Sequence, residues 1–173
     1  VSTKATIAIK RDGNVYESVF VSCDGYPEHT GRTLNQFYKE KEKVEALIER
    51  GCVYFLDRKI GDTFDGGVDF PKFKKNYGDT YRKEVRDAGF TRFAKRDLSI
   101  DNYWTDIPEN LKSDFYQNVA DQQWNYLYEN GDWLVTGTLY LRDFTVKFNR
   151  EKIEKCIDNI KKIEAAFSCN DVF

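Results

Sequence analysis

The chain has 173 residues, 27 Lys plus Arg against 29 Asp plus Glu, one histidine and four cysteines. That length lets a single domain bury a core without disulfides or a structural metal, and the near-balance of charge exerts no overall pull toward nucleic acid or an anionic membrane. No apolar stretch approaches the ~20 residues of a membrane helix, VSTKATIAIK lacks the plan of a signal peptide, and a lone histidine without any CxxC pair leaves zinc unsupported.

A soluble, unexported protein with free thiols is therefore expected, and its 13 Phe, 11 Tyr and 3 Trp predict a core built on large flat side chains. In chain order, TIAIK and VYESVFVSC alternate as strands about RDGN, whose Asp-Gly pair suits a tight hairpin turn. In the second strand Val15, Val19, Val21 and Cys23 share one face while Tyr16, Ser18, Phe20 and Ser22 share the other. Neither face is fully polar, which predicts a central strand.

CDGYPEHTGRTL follows. Two short helices are predicted after it: one capped by Thr30 with Leu34, Phe37 and Tyr38 at helical spacing, and one over about 40–50 with Val44, Leu47 and Ile48 on one stripe. Gly51 sits where a left-handed C-terminal residue is wanted. CVYFLD reads equally as a buried strand or a short helical turn, because periodicity cannot arbitrate over so few residues.

Residues 57–118 read as a loop-rich insertion in a single domain spanning 1–173. Within it, Asp62, Asp65 and Asp69 lack the alternating ligands and closing Glu of a calcium loop, so no metal is assigned. The Lys72–Arg96 run interleaves basic and aromatic residues, but acids dilute it and make nucleic acid an unlikely partner.

The C-terminal third resumes with QQWNYLYENGDWLVTG, two aromatic strands about Asn130-Gly131, the dipeptide best suited to a type I′ turn. Trp124, Tyr126 and Tyr128 fall on one face of the first, and Trp133 and Val135 on one face of the second. TLYLRDFTVKF is expected to add a third strand. Asn149 is expected to cap a last helix carrying Ile153, Cys156, Ile157, Ile160, Ile163 and Phe167. The predicted fold is α+β: a mixed or antiparallel sheet of the N-terminal hairpin and the C-terminal aromatic strands, packed by helices near 40–50 and 149–167.

DGYP supports two readings. It is a good device for leaving a strand and aiming a helix, since Asp-Gly permits positive φ, Pro fixes φ and the residue before Pro is pushed extended. A strand-to-helix turn also presents amides that favour anions, and Tyr26, His29 and Arg32 would add a ring, a hydrogen-bonding imidazole and a planar cation. The candidate binding set is Asp24, Tyr26, His29, Thr30 and Arg32. No catalytic residue is assigned, because no Ser or Cys nucleophile has a plausible spacing to His29, and GxGxxG, Walker, HExxH and GxSxG motifs are all absent. No cofactor is expected.

The order TKATIAIKRDGNVYESVFVSCDGYPEHTGRTLNQFYKEKEKVEALIERG resembles a group of small bacteriophage and prophage proteins of uncharacterised activity. They begin with a short Thr-rich strand, continue with a strand ending in DGYP, then Gly and Leu, then a Lys-Val-Glu-Leu-Ile helix. WNYLYENGDWLV is similar to their later aromatic hairpin, and Cys23 stands where many of them have Trp or Phe. The resemblance implies a phage setting. Joined to the lack of a catalytic set, it leads to the expectation of a non-enzymatic protein that binds a host protein in the bacterial cytoplasm and interferes with a process such as antiviral defence. The alternatives are a pocket that sequesters a signalling nucleotide, and a small enzyme acting on a nucleotide or a protein.

Overall fold

A computed structural model describes residues 3–11, 16–60, 87–93 and 122–170. The Asp12-Gly13 turn, the Asp62, Asp65 and Asp69 loop and most of the basic run lie outside the described residues. Described strands are β1 (Ala5–Lys10), β2 (Tyr16–Cys23), β3 (Val53–Phe55), β4 (Arg92–Phe93), β5 (Trp124–Glu129), β6 (Asp132–Tyr140) and β7 (Thr145–Lys152). They form one mixed sheet in the order β4-β3-β2-β1-β5-β6-β7. The fold is α+β, with β1 and β2 as an antiparallel N-terminal pair, Ala5 opposite Val21 and Lys10 opposite Tyr16.

Two neighbouring pairs are parallel: β2 with β3, and β1 with β5. Parallel neighbours need a long connection, and the one from β2 to β3 carries a π-helical turn (Pro27–Gly31), α1 (Arg32–Phe37) and α2 (Lys41–Glu49). CVYFLD is thus resolved as a strand, and the segment beyond residue 57 returns to the sheet as β4, paired antiparallel with β3. β2 is central, between β3 and β1.

One face of the sheet carries the core. Ile7, Ile9, Val21, Tyr126 and Val135 meet Leu34, Val44 and Leu47 from α1 and α2, and Ile153, Ile157 and Ile160 from α3 (Ile153–Asn170). Each such aliphatic side chain contributes roughly 1.5–3 kcal/mol on full burial. Ala8 and Leu127, which point to the opposite face, are also excluded from solvent, so β1 and β5 are buried on both sides at their centres. Phe37, expected beside Leu34 and Tyr38, is instead exposed at the end of α1, where Tyr38 leaves helical geometry (φ −122°, ψ 55°) and is buried in its place.

The aromatic hairpin turns at Asn130 (φ 54°) and Gly131 (φ 78°), both left-handed as a type I′ turn requires. Two of its rings fasten the α1–α2 link by their polar tips: Trp133 Nε1–H donates to Tyr38 O at 2.7 Å and Tyr128 O–H to Lys39 O at 2.7 Å. Beyond the hairpin two expectations change. Thr138–Tyr140 continues β6, and the further strand is Thr145–Lys152, so Asn149 lies inside β7 rather than at the start of α3. Arg150 takes φ 51° and gives its amide to Thr136 Oγ1 at 3.0 Å, a bulge that bends β7 and lets α3 start at Ile153 with no loop between.

Candidate binding surface at the ends of β2 and β3

Because β2 and β3 are parallel, with Cys23 opposite Phe55, the segments leaving their carboxyl ends emerge side by side. The DGYP turn is one of them. Its positive φ falls on Asp24 (53°), while Gly25 is required for a different reason: a Cβ there would stand 2.6 Å from Ala5 Cβ and 2.9 Å from Ala5 N. Gly25 N–H donates to Thr3 O at 2.8 Å and Gly25 O accepts Tyr126 O–H at 2.5 Å. Burial raises that tyrosine's pKa well above its ordinary value, so it stays a neutral donor.

Tyr26, before Pro, is extended, and Pro27 opens the π-helical turn. Such turns are rare and recur at functional sites, because the extra residue re-aims the side chains around it. Thr30 is fully buried here, and its hydroxyl donates to Asp24 O at 2.7 Å. It therefore fastens the turn to itself rather than capping α1, whose preceding residue is Gly31. The amides of His29 and Thr30 both go to Tyr26 O, at 3.1 and 3.0 Å. With Gly25 N–H also spent, these three amides are not offered to an anion.

The five candidate residues divide accordingly. Asp24 and Thr30 build the turn. Arg32 faces α3, where Nε and Nη2 each lie 3.3 Å from a carboxylate oxygen of Glu154. His29 points toward β3: the imidazole lies 4.6 Å from the Phe55 ring, centroid to centroid, and 6.3 Å from the Tyr26 ring. On β4, opposite Phe55, the Arg92 guanidinium carbon lies 4.6 Å from the Phe55 centroid and 5.6 Å from that of Tyr54. A row of Tyr26, His29, Phe55 and Arg92 results, with Tyr26 and Tyr54 each 38% exposed.

His29 Nε2 lies 3.0 Å from Leu56 O, and because a carbonyl only accepts, Nε2 carries the proton. In the neutral ring, that leaves Nδ1 as a lone-pair acceptor. Burial, then the charges of Asp24 and Glu28, raise the Tyr26 pKa and keep it a neutral donor. The floor is rigid: Asp57 O accepts both Tyr38 O–H (2.6 Å) and Thr91 O–H (2.8 Å), and Thr91 Oγ1 accepts the Asp57 amide (3.0 Å). Lys43 Nζ closes the end of α1, donating to Phe37 O at 2.6 Å and Arg58 O at 2.7 Å above the Tyr38 ring.

Phe55 and Arg92 escaped the sequence reading. Phe55 could have been found by treating VYF as a strand parallel to VFVSC, which would place it beside Cys23. Nothing local marks Arg92. Chemically the surface offers stacking faces, one imidazole acceptor, a phenol and a cation. Among the described residues, no group of three or more His, Cys, Asp or Glu side chains is placed to hold a metal. No protein-family model, curated protein or solved structure matches this chain.

Proposed function

We propose that the chain is a phage-encoded, non-enzymatic binding protein that occupies a host protein in the bacterial cytoplasm and so interferes with a host process such as antiviral defence. The phage setting rests on the resemblance of the strand-DGYP-helix segment. One observation carries the binding role: the row Tyr26, His29, Phe55 and Arg92, held on a hydrogen-bonded floor with Tyr26 and the neighbouring Tyr54 open to solvent. Tyr and Arg dominate the energetics of protein interfaces, and a pre-ordered row loses little side-chain entropy on binding. Among the described residues no helix is long and apolar enough to cross a membrane, which agrees with a partner met away from the bilayer.

The test is capture of a host protein on the immobilised chain, followed by affinity measurement with that protein purified. Tyr26→Ala removes an exposed ring without touching the floor. It should weaken the complex by about tenfold or more, as loss of a central interface tyrosine does. Equal affinity for the variant, or no saturable complex with any host protein, would remove the proposal.

A further inference from the structure

The order of strands creates a second crevice at the other end of the sheet. β1 and β5 are parallel neighbours, but the chain leaves β1 toward β2 on one side and β5 toward β6 on the other. A gap opens beyond the carboxyl ends of these two strands, beside the start of α2. Here the gap is a groove of about 730 Å³, within the size range of small-molecule sites. Ile9, Lys10 and Arg11 line it from β1, Tyr128 and the Asn130-Gly131 turn from β5, and Lys41 from the start of α2.

Among the described residues that line it, none is acidic and three are cations. Carboxylates pair with two of these cations. Glu129 holds Lys10 at 2.7 Å, and Glu17 and Glu45 hold the two terminal nitrogens of Arg11 at 3.1 and 2.9 Å. Those bonds use one donor of the ammonium and two of the guanidinium, leaving further N–H groups on each. Lys41 has no carboxylate within ion-pair distance among the described residues, although Glu45 feels its charge from farther off. Glu40 and Glu42 act on Tyr128 in the same way. The N–H groups left on Lys10 and Arg11 and the ammonium of Lys41 suit a group that accepts several directed hydrogen bonds at once.

We propose that this groove is a second binding site, distinct from the Tyr26 face, for a small phosphorylated molecule whose phosphate oxygens are held by Lys10, Arg11 and Lys41. Its phosphates span the two strand ends and the first turn of α2, so binding ties the hairpin to that helix. Titration of the whole chain with inorganic pyrophosphate and with ADP, followed by amide NMR, tests this. The expected result is saturable shifts clustered at Ile9–Arg11, Lys41 and Tyr128–Gly131, larger affinity for the two polyphosphates than for acetate, and a loss of about tenfold or more in Lys41→Glu. Lys41 is exposed and without an ion pair, so that variant keeps the fold, which the unchanged remainder of the spectrum verifies. Tyr26→Ala should leave the titration unaltered, so failure here and failure of the host-protein reading are separable. No saturable shift with either polyphosphate, shifts centred elsewhere, or equal binding by Lys41→Glu would overturn the site.

Discussion

At Gly25 the absence of a side chain matters more than any freedom of the backbone. The positive φ expected of the Asp-Gly pair falls on Asp24, and Gly25 is pressed against the start of β1. Gly25→Ala must move the Ala5 backbone, and we expect it to destabilise the protein by roughly 1–3 kcal/mol, read as a lower urea midpoint with unchanged slope. Among the candidate site residues, Tyr26 and His29 were legible by type because ring and imidazole chemistry travels with the residue. The destinations of Thr30 and Arg32 were not. One hydroxyl turned back to a carbonyl in its own turn, and one guanidinium found Glu154 on a helix at the far end of the chain.

Elements were legible where a local device specifies them. Asn130-Gly131 adopts the two left-handed conformations its turn needs, α2 shows its apolar stripe, and Gly51 takes φ 93° at that helix's end. Asn149 misled because a capping residue looks the same inside a bulged strand, and the bulge depends on Thr136 across the sheet. Between elements, Arg11 ties the N-terminal hairpin to α2 by bonding Glu17 and Glu45. Its hydrogen bond to Glu45, helped by its charge, lowers that carboxyl's pKa below the 4.5 of a free glutamate. A carboxyl whose folded pKa is depressed contributes stability that is complete above its unfolded value and fades as pH falls through the folded one. Glu45→Gln should therefore flatten the acid limb of a thermal-stability profile taken from about pH 6 to about pH 3, and leave its dependence above that range unchanged. An identical acid limb in the variant would show that the pair contributes nothing.

On the scale of the whole molecule, the two parallel strand pairs run in opposite directions, so the sheet has carboxyl-end openings at both of its ends. The β2–β3 opening holds the row of rings, and the β1–β5 opening holds the cationic groove. Between them β1 has a hydrogen-bonded neighbour on each side and is buried from Ala5 to Ile9. Its amides should exchange with solvent only through global unfolding. Hydrogen-exchange mass spectrometry should accordingly rank β1 and β5 slowest and the π-helical turn faster. Faster exchange in β1 than in the turn would contradict this account of where the core sits.

The sequence by itself determined the class of fold, the two hairpin strand pairs, the apolar stripes of α2 and α3 and the chemistry available at the DGYP turn. Each depends on interactions over a few residues, whose signature is a period or a dipeptide. Only the tertiary structure decided that β1 lies beside β5, that Phe55 and Arg92 join Tyr26 and His29, and that Lys10, Arg11 and Lys41 converge on one groove. Those outcomes follow from strand order, and strand order is settled by which buried faces fit together across long separations, a property that no local pattern records.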